Sequence, residues 1–245
     1  MLAVLRRELR AMFVSPLAWS ILAVVQVLMA YSFLRLLQAF ADSQGRLQGL
    51  PGAPGLTRLV AMPLFEVAAF VMMLVVPLIT MRLVAEERRT GTLVLLLGSP
   101  VSSTGIVIGK FLSAMVFVLG FVGLSAAMPL SLLVSNTLDL GLLGAGIFAM
   151  TLLGAAFVAV GLYMSTLTSQ PTIAAISTFG VLLFAWLLDW GGGRETLLTQ
   201  LSSLQHYRSM LQGVVDTRDI AYFLIVTSVF VFLAARRFEA SRQVG

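Results

Sequence analysis

The chain contains no cysteine and a single histidine, His206, among its 245 residues. Missing thiols exclude disulfide frameworks and thiolate metal sites, and a lone histidine excludes a His-based metal cluster such as HExxH. The sequence contains no GxSxG motif, which would indicate a serine hydrolase. We therefore predict a protein that is not an enzyme and holds no cofactor or metal of its own.

Charge is also scarce, at 11% of residues against the roughly 25% usual in soluble domains. Hydrophobic residues make up 59%, and the mean hydropathy is +0.99. The chain offers about six apolar runs long enough to cross a bilayer. They cover approximately residues 17–38, 63–83, 106–134, 142–167, 172–188 and 220–235. We predict an all-α integral membrane protein with six transmembrane helices, forming a single domain over residues 1–245.

Three of these runs have unusual lengths. The third and fourth exceed the minimum for a span, so we expect them to tilt, or the third to break at Pro129, since proline removes a helix hydrogen bond. The fifth run is the shortest. Before the first run, residues 1–14 mix charged and apolar side chains, which predicts an amphipathic helix in the membrane interface. Its charged residues are Arg6, Arg7, Glu8 and Arg10. A cleaved signal peptide is the alternative, but the first run is long, lacks a small-residue cleavage pattern and is followed by further spans.

The distribution of basic residues predicts the orientation. With six spans, about ten Lys and Arg residues fall on the side of the termini and about six on the other side. The positive-inside rule therefore places both termini in the cytoplasm. The sequence pI of about 10.4 has the same explanation and does not indicate nucleic-acid binding.

The external segments hold few candidate residues. Residues 189–219 show leucines at near-helical spacing, which predicts one or two helices resting on the outer leaflet, with His206 as a polar anchor there rather than a ligand or pH sensor. Arg35 and Glu66 lie near the outer ends of spans one and two. Three interpretations are open for them: contact with the headgroups, an intramembrane ion pair with each other, or contact with a substrate.

The segment Gly105-Ile106-Val107-Ile108-Gly109-Lys110-Phe111 superficially resembles a phosphate-binding loop. It has three residues between the glycines where that loop has four, and Phe111 replaces the Ser or Thr that would coordinate magnesium. We expect the glycines to allow close helix packing, and Lys110 to extend to the cytoplasmic headgroups.

A charged segment between two apolar runs is the strongest signal in the chain. It places Glu86-Glu87 beside Arg88-Arg89, and an apolar strip, Leu93–Leu97, follows. A solvated loop that only sets topology would need basic residues alone. Both signs together with an exposed apolar strip favour a docking surface for a partner.

These residues resemble a known family. The sequence from Arg82-Leu83-Val84-Ala85-Glu86-Glu87-Arg88-Arg89-Thr90-Gly91-Thr92-Leu93 through Gly98-Ser99-Pro100-Val101 to Gly109-Lys110-Phe111 resembles permease subunits of ABC-2 type transporters over nearly the whole chain. Gln205-His206-Tyr207, Gly213–Ile220 and Tyr222-Phe223-Leu224 are similar to the gliding-motility permease subgroup. Val94 departs from the acidic residue that many relatives carry.

The resemblance implies a permease subunit of a bacterial inner-membrane ABC transporter. Its expected parts are an amphipathic amino-terminal helix, a cytoplasmic coupling helix between spans two and three, and external helices before span six. The expected partners are a separate ATPase subunit, which binds ATP and Mg, and a second permease chain in a homodimer or heterodimer. The coupling residues would be Glu86, Glu87, Arg88, Arg89, Thr90, Gly91 and Thr92.

Two other functions remain open. A secondary transporter would need acidic residues or broken helices near the midplane in paired halves. A membrane scaffold without transport would keep the docking surface and tolerate changes within the spans. Gly144, Gly154 and Gly161 could serve contacts within the chain or between subunits. The spans lack a dense polar lining, which fits a hydrophobic or amphipathic cargo, or a transmembrane signal with no cargo.

Overall fold

The computed structural model describes residues 2–47, 55–92, 102–134, 138–188 and 202–243, and the regular structure in these ranges is helical. The helices, in chain order, are α1 (Leu2–Val14), α2 (Pro16–Leu47), α3 (Met62–Thr80), α4 (Ala85–Arg89), α5 (Ser103–Leu130), α6 (Leu140–Leu167), α7 (Pro171–Leu187), α8 (Ser203–Leu211) and α9 (Thr217–Gln243). The predicted all-α fold is therefore confirmed.

Each predicted span overlaps one of the long helices. Segments containing α2, α3, α5, α6 and α9 are long and apolar enough to cross a membrane. Helix α7 has 17 residues, which at about 1.5 Å per residue is about 25 Å, near the lower limit for a span. The α-helical part of α5 ends at Leu130, directly after Pro129, and a 3-10 turn, Ser131–Val134, follows. The length and composition of these helices are those of an integral membrane protein.

Helix α6 lies at the centre of the bundle, in contact with α3, α5, α7 and α9. Two of its glycines permit close approach to its neighbours. A Cβ atom at Gly161 would overlap the side chain of Thr80 in α3, and one at Gly154 would overlap Val118 in α5. These two glycines therefore serve contacts within the chain. Nothing lies within 4 Å of a Cβ placed at Gly144.

Helix α8 packs on the bundle at the end opposite α4, with one side against protein and the other exposed. Its apolar side faces the protein: Leu204, Tyr207, Met210 and Leu211 are buried. The fully buried Tyr207 donates a hydrogen bond from its hydroxyl to the backbone oxygen of Phe65 in α3, at 2.7 Å. Residues 189–201 of the same predicted segment lie outside the described ranges.

His206 anchors α8 to another helix rather than to the leaflet. Its Nδ1 lies 2.6 Å from Oδ1 of Asp219 in the first turn of α9. Its ring also stacks on Tyr222 of the same helix, with the centroids 4.3 Å apart. These contacts and that of Tyr207 attach α8 to both α3 and α9, which explains why its apolar residues face inward.

Tyr207→Phe is expected to lower the thermal stability of the purified protein. Burial raises the pKa of the Tyr207 hydroxyl well above its ordinary value, and Glu66 adds a smaller effect, so the group remains a proton donor. Its loss removes one buried hydrogen bond, worth about 1 kcal/mol. The measurement is the Tm in detergent, with Tyr31→Phe as the control because Tyr31 is exposed on α2. Equal Tm values for the two variants would contradict this role.

Candidate coupling site

Helix α4 is too short to form alone. A single turn fixes several residues for few hydrogen bonds, so contacts with the rest of the protein must hold it. The sequence still favours the helix locally: Glu86 and Glu87 lie in its first turn, and Arg88 and Arg89 in its last, which matches the helix dipole. Gly91 ends it with a φ of 72°, a conformation that glycine adopts without strain.

Ser165, near the end of α6, holds the start of α4. Its hydroxyl accepts hydrogen bonds from the backbone N–H groups of Val84, at 3.1 Å, and Ala85, at 3.0 Å. It also donates to the backbone oxygen of Met81, at 3.0 Å. Met81 and Val84 belong to the turn between α3 and α4, and Ala85 is the first residue of α4. One side chain therefore satisfies the polar groups that a helix start leaves without partners.

Lys110 of α5 attaches the inner side of α4 to the bundle. Its Nζ lies 2.9 Å from Oε1 of Glu87 and 2.9 Å from Oε1 of Glu8, and it donates to the backbone oxygen of Leu83 at 2.6 Å. The lysine side chain is 0% exposed. The expectation that Lys110 extends to the headgroups is therefore wrong, because its ammonium group is enclosed by acceptors. Lys110 lies inside a helix with its ammonium occupied, so it is not the lysine of a phosphate loop.

Of the other charges of α4, Glu86 and Arg89 face outward and Arg88 is partly buried. Glu86 and Arg89 form an ion pair at 2.6 Å, with side chains 34% and 61% exposed. Arg88 is half-buried and lies close enough to Arg237 of α9 for the two positive charges to repel. The hydroxyl groups of Thr90 and Thr92 form a hydrogen bond, with 3.0 Å between their oxygens. The apolar strip Leu93–Leu97, which includes Val94, lies outside the described residues.

The four charged residues predicted for the amino-terminal helix also divide between an exposed and an inward-facing side. Arg6, Arg7 and Arg10 are exposed along α1 and line one surface cleft with Ala11 and Val14. Glu8 points inward to Lys110, and Arg7 Nη2 reaches Oε1 of Glu87 at 3.8 Å. Helix α1 packs along α5, so part of the side expected to enter the membrane interface meets protein.

An ion pair between Arg35 and Glu66, one of the three open interpretations, does not form in the described structure. Glu66 instead lies 3.3 Å from Nε of Arg208 in α8, with both side chains about half exposed. Arg35 is exposed on α2. The partner differs from the expected one because α8 folds against the start of α3, which brings a second arginine closer. Glu66, Arg208 and Arg58 line a cleft of about 520 Å³ at this end of the bundle.

Sequence reasoning missed the function of two residues of the coupling site, Ser165 and Lys110. Ser165 ends a span beside an uncharged turn, and its partners are 80 to 84 positions away. A lysine bordered by apolar residues in a span does indicate burial or a partner, and this signal could have directed attention to Lys110. Within the described ranges, no three His, Asp or Glu side chains group as a metal site.

Comparison with known proteins identifies the family of this chain. A sequence model of the ABC-2 family transporter protein matches residues 2–242. No curated protein is significantly similar to the chain. The family match does not resolve subgroups, so the similarity to gliding-motility permeases stays a prediction. The match spans nearly all of the chain, and the protein therefore belongs to the ABC-2 family, as a permease subunit of an ABC transporter.

Proposed function

We propose that this subunit couples ATP hydrolysis by a separate ATPase polypeptide to export of a substrate or to mechanical work across the membrane. The observation that carries the proposal is that the two sides of α4 have different environments. Its inner side is fixed to α5 and α6 through Glu87 and the Ser165 contacts, whereas Glu86 and Arg89 face outward. A partner that binds the outward side by charge-assisted hydrogen bonds would move the spans as rigid bodies.

The position of the charged elements supports an orientation. Helix α1, helix α4 and the end of α9 lie on one side of the bundle, since Glu8 and Glu87 share Lys110 and Arg88 lies near Arg237. Their concentration of arginine fits the cytoplasmic side of a bacterial inner membrane. The ATPase, with its ATP and Mg, would bind on this side, and a second permease chain, identical or different, would complete the transporter.

A secondary transporter is less well supported. Such a protein uses charged or broken-helix sites near the membrane midplane. Glu66 lies in the first turns of α3, in a half-exposed pair with Arg208, which is a position at the end of the bundle. A scaffold without transport differs in one respect: it would bind the ATPase without altering its turnover.

Glu86→Arg is expected to weaken binding of the ATPase by on the order of tenfold, because one reversed charge at an interface costs about 1.4 kcal/mol or more. The ATPase encoded nearest to this chain would be co-purified with it. Its affinity and its ATP turnover would then be measured in lipid.

The matched control is Glu66→Arg, which reverses a carboxylate of similar exposure at the opposite end of the bundle and should leave binding unchanged. The double variant Glu86→Arg with Arg89→Glu restores the ion pair within α4 but reverses its direction, so it should bind as weakly as the single variant. If the native chain binds no ATPase, or Glu86→Arg binds as tightly as native, the proposed coupling surface is wrong. Binding without any effect of the membrane subunit on turnover would indicate the scaffold.

A further inference from the structure

Lys110 is a buried cation whose neighbours match its chemistry. A lysine ammonium group has three N–H donors and no acceptor. The nearest acceptors are Glu8 Oε1, Glu87 Oε1 and the oxygen of Leu83, at 2.9, 2.9 and 2.6 Å. The two glutamate side chains are only 14% and 11% exposed. Burial of a charge is costly unless such partners are present, and here each donor has one.

The acceptors come from different elements. Glu8 belongs to α1, Glu87 to α4 and Leu83 to the turn before α4, while Lys110 belongs to α5. The contact from Lys110 to Glu8 joins residues 102 positions apart in the sequence. Hydrogen-bonded ion pairs are directional, unlike apolar contacts, so they resist sliding of one helix past another. The lysine is therefore the point at which α1, α4 and α5 are held in register.

We propose that Lys110 is a positioning residue that makes α1 and α5 follow α4, so that the amino-terminal helix and the coupling helix move as one body. The effect of this joint on transport rests on the proposed function. The joint itself, the contacts of Lys110 with Glu8, Glu87 and Leu83, is a property of the chain alone. A stabilising role would not require charge, because buried ion pairs are often replaced by apolar groups at no loss of stability. Directional attachment of three elements does require it.

The test uses three variants. Lys110→Met alone removes the buried cation that Glu8 and Glu87 share, and it is expected to lower the Tm and the yield. The neutral variant, Lys110→Met with Glu8→Gln and Glu87→Gln, removes all three charges and should recover a Tm close to native. The matched control, Glu66→Gln with Arg208→Met, neutralises an ion pair at the other end of the bundle.

The first readout needs no ATPase. Since the chain lacks cysteine, single cysteines at Ala11 on α1 and Thr104 on α5, both exposed, can carry a pair of spin labels. In lipid, the distance distribution between the labels should be narrow in the native background and in the control. It should be clearly broader in the neutral variant.

The second readout is ATP turnover with the partner present. The neutral variant should bind the ATPase as the native chain does, yet lose membrane-dependent turnover by about tenfold or more. A native distance distribution or native turnover in the neutral variant would overturn the proposal and leave Lys110 as a structural residue. Failure of the native chain to bind the ATPase would overturn the proposed function, and the label distances would still decide whether the joint exists.

Discussion

Gly161→Leu is expected to leave little folded protein. A Cβ atom at this position of α6 would overlap the Thr80 side chain of α3, and a leucine adds three more carbon atoms in the same space. Neither helix can yield easily, because α6 also packs against α5, α7 and α9. Overpacking in a core costs about 1–3 kcal/mol, and the upper end of that range shifts the folding equilibrium about a hundredfold. The measurement is the yield and Tm of monodisperse protein in detergent.

Gly144→Leu is the matched control on the same helix, since a side chain there has open space around it within the chain. It should fold with a Tm near native. If Gly161→Leu is as stable as this control, α3 and α6 do not approach each other as closely as the structure indicates. A loss at Gly144 confined to the assembled transporter would instead indicate a contact between subunits.

Ser165→Ala is expected to release the start of α4 from α6. The change leaves the N–H groups of Val84 and Ala85 and the oxygen of Met81 without the hydroxyl that satisfies them. Each unsatisfied buried group costs about 1–3 kcal/mol. Amide hydrogen exchange at Val84 and Ala85 should therefore accelerate strongly, and ATPase turnover should lose its dependence on the membrane subunit while the spans stay folded.

Ser113→Ala provides the comparison for this variant. Ser113 is equally buried, but its hydroxyl bonds only the oxygen of Lys110 in its own helix, at 2.7 Å. Its loss should leave exchange at Val84 and Ala85 at the native rate. Protected amides in Ser165→Ala would mean that other contacts, such as those of Glu87, are sufficient to hold the helix.

The helices could be predicted from the sequence because the membrane requires continuous apolar runs of a certain length. The clustered charges located the docking segment, and the resemblance to ABC-2 permeases implied that this segment is a helix. Neither could tell that Glu87 faces inward and Glu86 outward. In a helix of one turn, the side chain that faces the protein is decided by contacts with other helices. Lys110 and Ser165 become the partners of this segment only once α5 and α6 are in place.

The external residues illustrate the same limit. Pairing of Glu66 with Arg35 was one open interpretation for neighbouring spans, but the sequence does not reveal which further element packs near Glu66. Helix α8 folds against the start of α3, with Arg208 on its exposed side and Tyr207 on its buried side. The apolar spacing of α8 was recognised correctly, yet a helix with one apolar side can face lipid or protein equally well.

The glycine contacts of α6 also restrict the route of any cargo. Where helix backbones approach this closely, the interior between α3, α5 and α6 is filled by their own side chains, including Met72, Phe117 and Phe157, which are at most 2% exposed. The packed interior between these described helices therefore leaves no open path through the bundle. Any cargo that this subunit exports would have to cross along the outside of the bundle, and its selection would then depend on the boundary with lipid or with a second subunit.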